Sequence, residues 1–282
     1  MTLAQPIGSQ GSDFTLSDKD FDAVSRFAHK HFGLALSSNK KPLVSSRLAR
    51  RLRKLNVTDF GAYLKGLEDK TGESERSELL SLLTTNVTQF FREPHHFETL
   101  REETLPPLIE KARKGGRVRL WSAGCSNGQE PYTIASVVHS LCPEANRLNI
   151  KILGTDIDPV VVRTAKAAQY APDELSQIPS QYKKMVGKDG ASIASEVRSL
   201  VSFGVLNLIE PFPFPGKMDA IFCRNVAIYF DTPTQQKVWS AFQQKLNPGG
   251  YLFIGHSERM SGPAAQKLKS AGITTYINQS AG

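Results

Sequence analysis

Apolar and polar positions follow two regimes along this chain. From residue 13 to about residue 85, apolar residues recur at three- and four-residue spacing, the period of a helix. Phe21, Val24, Ala28 and Phe32 form one stripe, with Ser17 as a candidate N-cap, Asp18 and Asp20 in the first turn and Gly33 at the end. After Pro42, the residues Val44, Leu48, Leu52 and Leu55 predict the buried face of a second helix, and residues 59–67 and 74–83 predict two more. From residue 117 the pattern changes. Short apolar runs at 118–121, 150–153, 200–206, 218–223, 251–254 and 273–277 predict strands, and periodic segments between several of them predict helices. Strands alternating with helices imply a mostly parallel α/β sheet, with ligands at the carboxyl ends of the strands.

This pattern divides the chain into a helical domain over 13–85, a joining segment over 86–116 and an α/β domain over 117–282. The joining segment predicts helices at 94–100 and 105–114, the second ended by Gly115-Gly116. Within the α/β domain, residues 170–197 are less regular. They carry Pro172, Pro179 and the turn Gly187-Lys188-Asp189-Gly190, which predicts a small insertion with a hairpin at its tip.

The first strand runs into Ser122-Ala123-Gly124, a second glycine follows at Gly128, and Tyr132, Ile134, Ala135 and Val138 open a helix. Strand, glycine loop and helix form the first unit of a nucleotide-binding sheet. Between Ser122 and Pro131 there is no Lys or Arg, and the one charged residue is Glu130. A phosphate cradle normally has a cation, whereas an acid welcomes one. The loop alone leaves adenosylmethionine, a dinucleotide or a ligand-free turn open, and Glu130 favours the first. The second strand ends in Gly154-Thr155-Asp156-Ile157-Asp158-Pro159. Asp156 occupies the position of a ribose-hydroxyl ligand, and Asp158-Pro159 reads as N-cap and first helical residue. Asn207 and Asn225 also fall at strand ends.

Charge sharpens the picture of the helical domain. The chain of 282 residues has a formal net charge of +8. From Ala23 to Thr58 there is no acidic residue, while Arg47, Arg50, Arg51, Arg53 and Lys54 crowd the second helix. Such a face is solvated, or docks on an acidic protein surface or on nucleic acid. Nucleic acid is the weaker reading, because no aromatics interleave the basic residues. The three cysteines, Cys125, Cys142 and Cys223, are dispersed and odd in number, which favours reduced thiols in a cytoplasmic protein. The first twelve residues lack the pattern of a secretory signal, and no apolar run approaches the ~20 residues of a membrane helix. No Cys/His spacing resembles a zinc site, so no metal is expected.

Several motifs occur together and in order: Thr85-Asn86-Val87-Thr88-Gln89-Phe90-Phe91-Arg92-Glu93, Gly128-Gln129-Glu130-Pro131-Tyr132, Thr155-Asp156-Ile157-Asp158, Asn207-Leu208 and Phe222-Cys223-Arg224-Asn225-Val226-Ala227-Ile228-Tyr229-Phe230. Together they resemble the chemotaxis receptor methyltransferases, the CheR family, over nearly the whole chain. The resemblance implies a Rossmann-like class I methyltransferase sheet behind an all-helical domain. It implies methyl transfer from S-adenosylmethionine to glutamate side chains of a methyl-accepting chemotaxis receptor, leaving S-adenosylhomocysteine. By motif, the cofactor residues are Asn86, Thr88, Arg92, Glu130, Asp156, Asn207, Leu208, Asn225 and Val226. Arg92 and Tyr229 are then expected beside the reacting carboxylate, and the basic second helix is expected to face the receptor's acidic methylation helices. The expected protein is a monomer without membrane insertion. Two departures stand out. Gln129 replaces a second acid present in many relatives. The turn of the 170–197 insertion lacks the extra glycine-containing segment of relatives that tether to a receptor's C-terminal pentapeptide, so tethering is not expected. Two rival functions share the pattern: a non-catalytic adenosylmethionine sensor that docks a partner, and an RNA methyltransferase.

Overall fold

The computed structural model describes residues 16–57, 59–69, 72–84 and 87–279. Their Cα positions group into two compact units. One holds the described residues up to His31 together with Leu36–Leu83, and the other holds Phe32–Ala35 and the chain from Thr84 onward.

The first unit is helical. Helix α1 spans Asp18–Phe32, α2 Lys41–Leu55, α3 Phe60–Glu68 and α4 Glu73–Leu83. Ser17 caps α1 as expected: its Oγ accepts from the Asp20 amide at 3.1 Å, and the Ser17 amide donates back to the Asp20 carboxylate. Asp59 caps α3 by accepting from Ala62 N at 2.8 Å. In α2, Val44, Leu48 and Leu52 are buried as the stripe predicts, joined by Ala49, while Leu55 at the helix end is exposed.

The second unit is organised on a seven-stranded sheet in the order β3-β2-β1-β4-β5-β7-β6. Its strands are β1 Val118–Ala123, β2 Ile150–Asp156, β3 Val201–Val205, β4 Met218–Cys223, β5 Leu246–Ile254, β6 Leu268–Gly272 and β7 Thr275–Asn278. Strands β1 to β5 pair in parallel, and the β6–β7 hairpin adds on antiparallel to β5. The order reverses between β1 and β4, so the crevice beyond their carboxyl ends is the ligand position of this topology. Strand alternation divides the core between two faces. Leu120, Ala220 and Phe222 join the cluster that holds Phe97, Ile134 and Phe253. Trp121, Ile221 and Cys223 join the other, with Trp239 and Phe242.

Three expectations from the pattern need correction. Strand β6 has no counterpart among the predicted strands, because Leu-Lys-Ser-Ala-Gly is too polar to signal an edge strand. The joining helices are continuous: α5 Pro94–Thr99 passes through a π turn, Leu100–Thr104, into α6 Leu105–Arg113. Pro106 and Pro107 lack N–H donors, and a wider turn absorbs the missing bonds without a break. The 170–197 insertion consists mostly of short helical turns, α9 Pro172–Ser176 and α10 Ser195–Arg198 with a 3-10 turn between them. Its hairpin is reduced to single antiparallel bridges, Val186↔Ile193 and Gln169↔Ser192.

Candidate functional site

The β1 strand delivers the glycine loop to the crevice. Gly124 has φ +84°, and a Cβ there would lie 2.3 Å from Val226 Cγ2. Gly128 has φ +94°, and a Cβ would lie 2.8 Å from that of Ala165 and 2.9 Å from the Tyr170 hydroxyl. Only glycine fits at either position. Gly128 caps α7 Gln129–Leu141, which places Glu130 in the first turn.

Glu130 is firmly held. One carboxylate oxygen accepts from Ser122 Oγ at 2.7 Å, and the other pairs with Arg224 Nη1 at 2.9 Å. Asp156 ends β2. Its carboxylate accepts from the amides of Ser126 at 2.8 Å and Asp158 at 3.0 Å. Burial pushes the Asp156 carboxyl up in pKa, and those two amides pull against it. Asp158 caps α8 Pro159–Ala167 as predicted, accepting from Val160 N at 2.8 Å.

One pocket gathers Thr88, Arg92, Glu130, Asp156, Asn207, Leu208, Asn225, Val226 and Tyr229 among its lining residues. Asn86 lies outside the described residues. Arg92 folds back so that its Nη1 donates to the carbonyl of Val87 at 2.9 Å. Its neighbours Phe91 and Glu93 both take left-handed backbone, φ +55° and +56°, as do Ser126 at +48° and Asn225 at +60°. Such conformations outside glycine collect at functional sites. Tyr229 stands at the end of the 3-10 turn Ala227–Tyr229, and its carbonyl accepts from Ala35 N at 2.7 Å.

Two charged residues of this site were not singled out from the pattern. Arg224 is buried between Glu130 and Glu93 and also donates to the carbonyl of Arg92. Glu258, equally buried, accepts from the amides of Gly255, Asn225 (3.2 Å), Val226 (2.9 Å) and Ala227 (2.7 Å). Burial raises its pKa against the pull of those four donors. Glu258 thereby fixes the turn that presents Asn225 and Val226. The available signal for Arg224 was a charge directly following an apolar strand. Glu258, lying beyond β5 and distant in sequence, gave none.

In the first unit the five basic residues of α2 are not equally exposed. Arg47 donates to the carbonyl of Leu82 at 2.7 Å. Arg51 pairs with Glu75 through Nε at 3.0 Å and a second contact through Nη2, and with Glu78 at 3.2 Å. Tyr63 donates to the same Glu75 at 2.8 Å. Arg47 and Arg51 therefore tie α2 to α4, while Arg50, Arg53 and Lys54 are exposed. The neutralising acids lie on α4, beyond the acid-free window.

Family comparison adds an independent line. Residues 86–277 match the CheR methyltransferase, SAM binding domain, and residues 19–84 match the CheR methyltransferase, all-alpha domain. A probable chemotaxis protein methyltransferase of Rhizobium etli is 46% identical over 86% of this chain and 94% of its own. Chemotaxis protein methyltransferases of Borreliella burgdorferi and Escherichia coli are each 38% identical, covering 89% and 87% of this chain and 91% and 86% of their own.

Proposed function

Because this chain belongs to the CheR methyltransferase family, we propose that it methylates glutamate side chains of a methyl-accepting chemotaxis receptor. S-adenosylmethionine is its methyl donor. The pocket suits that group on its own evidence. Glycines leave room for a close approach, an acid sits at the end of β2, and the Ser122–Pro131 loop carries no cation. Glu130, Asp156, Asn207, Leu208, Asn225, Val226, Thr88 and Arg92 are the residues we assign to holding it, with Asn86 assigned from the motif alone. When bound, adenosylmethionine supplies an electrophilic methyl group on a sulfonium.

The observation that carries the reading is the meeting of Arg92 and Tyr229 with the residues of the two strand-end loops in one pocket. A glutamate side chain has an unperturbed pKa of ≈ 4.3 and is ionised at neutral pH. It needs no general base, which agrees with a pocket that no histidine lines among the described residues. The work left to the protein is orientation and exclusion of water. We assign Arg92 to the incoming carboxylate by charge and Tyr229 by its hydroxyl. Val87 and Ile228, both exposed and both lining the pocket, offer apolar surface to the receptor segment that carries it. The exposed Arg50, Arg53 and Lys54 suit the acidic methylation helices. Pentapeptide tethering forms no part of this proposal.

The test is transfer of labelled methyl from adenosylmethionine to membranes bearing a cognate receptor, followed by alkaline treatment. Release of the label as methanol is the expected result and identifies a carboxyl ester. A base-stable product, or no transfer by protein that binds adenosylhomocysteine, would overturn the proposal.

A further inference from the structure

Next to Arg92, three electron-pair donors converge without a hydrogen-bond partner. Glu93, His95 and His96 each present one atom, all within 4.8 Å of one another. Glu93 Oε2, His95 Nε2 and His96 Nδ1 are all buried, and none of them makes a hydrogen bond. Elsewhere in proteins, buried polar atoms of this kind are almost always satisfied. His96 is completely buried. Its other nitrogen, Nε2, lies 2.9 Å from Thr274 Oγ1. In the tautomer that carries its proton on Nε2, the Nδ1 lone pair is free toward Glu93 Oε2, 3.6 Å away.

We propose that Glu93, His95 and His96 bind a divalent transition-metal ion of the zinc class. Two imidazole nitrogens, one carboxylate oxygen and an open fourth position form a known zinc donor set. Donors bound at the usual lengths stand about 3.4 Å apart around a tetrahedral ion. His96 Nδ1 and Glu93 Oε2 are already 3.6 Å apart. The bonds to His96 Nε2 and from His256 to Glu93 are the outer-shell contacts that orient such ligands. The opposing charge is Arg224, 3.6 Å from Glu93 Oε2, and it is itself paired with Glu130 at 2.9 Å. The ion would anchor the left-handed Glu93 and so the backbone that carries Arg92. Its role is to hold that segment, and the methyl transfer needs no metal chemistry from it.

The test uses the full chain, stripped with a chelator, dialysed and titrated with zinc against a chromophoric competitor, then with cobalt(II) for its ligand-field bands. The expected result is one equivalent bound per chain, tetrahedral-type cobalt bands, and a rise in melting temperature on zinc addition. His95→Ala and Glu93→Gln should each weaken uptake at least tenfold and abolish the rise. His139→Ala, on the far end of α7, should change neither. His96 is too buried for its substitution to be informative. Absence of saturable uptake by the folded chain would overturn the site, as would uptake that survives both substitutions unchanged.

Discussion

Glu258 shows how one residue far from the glycine loop shapes the cofactor side of the pocket. A carboxylate accepting four amides organises the turn after β4, which is where Asn225 takes left-handed backbone. Glu258→Gln keeps the size but turns an NH2 group toward amide donors. The expected cost is about 1–3 kcal/mol of stability, together with a raised KM for adenosylmethionine at smaller change in kcat, and partial rescue by Glu258→Asp. Thermal melting and steady-state kinetics check this, and an unchanged KM would refute the positioning role. For Arg92, the expectation concerns the reaction itself. Arg92→Ala should lose on the order of 100-fold in methyl transfer, far more than Arg53→Ala, and equal losses would sink its assignment. At this scale Glu130, Asp156 and Asn225 were legible, because each follows a strand or glycine loop that its neighbours announce. Arg224 also follows a strand, but its pairing with Glu130 and with the Arg92 carbonyl, like the hold of Glu258 on the turn after β4, comes from partners roughly 30 to 130 residues away.

Among elements, the contact between α2 and α4 is the clearest case of charge used for structure. Arg51, Tyr63 and Glu75 form a network that is mostly shielded, with the Arg51 side chain 14% and the Glu75 side chain 22% exposed. Such a pair lies between the surface and buried limits, so Arg51→Ala should destabilise the protein by about 1–3 kcal/mol. Arg50→Ala, on the exposed side, should stay within about 0.5 kcal/mol. Chemical denaturation of the two variants distinguishes them, and equal effects would contradict the clamp. The helix periodicity located α2 and its buried stripe, apart from the exposed Leu55. It could not divide the basic residues between structure and surface, because α4 supplies the acids. The same limit explains β6, a polar edge strand recognisable only once β7 is beside it.

On the scale of the whole molecule, the exposed basic residues of α2 and the methyl-transfer pocket reside in different units of the chain. Electrostatic attraction to an acidic receptor acts at a distance and is screened by salt. Reversing charge at Arg50 and Arg53 together should therefore weaken receptor methylation several-fold at low ionic strength, and the difference from wild type should shrink as salt is added. Adenosylhomocysteine affinity, measured by calorimetry, should stay the same. A matching loss of cofactor affinity would show that these residues act on the pocket instead of on the receptor.

The sequence by itself determined the alternation of strands and helices, the glycine loop, the acid at the end of β2 and the helix caps. Each of these is a local property: a hydrophobic period, a backbone angle open to glycine, or a side chain bonded to an amide a few residues away. Tertiary structure alone decided which charges are spent. It paired Arg51 with Glu75, seated Arg224 between two carboxylates, and gave the Ala227–Tyr229 turn a bond from Ala35. It also brought Glu93, His95 and His96 to face one another, although no ligand spacing marks them. Those outcomes depend on distances between residues remote in the chain, and a one-dimensional pattern does not contain such distances.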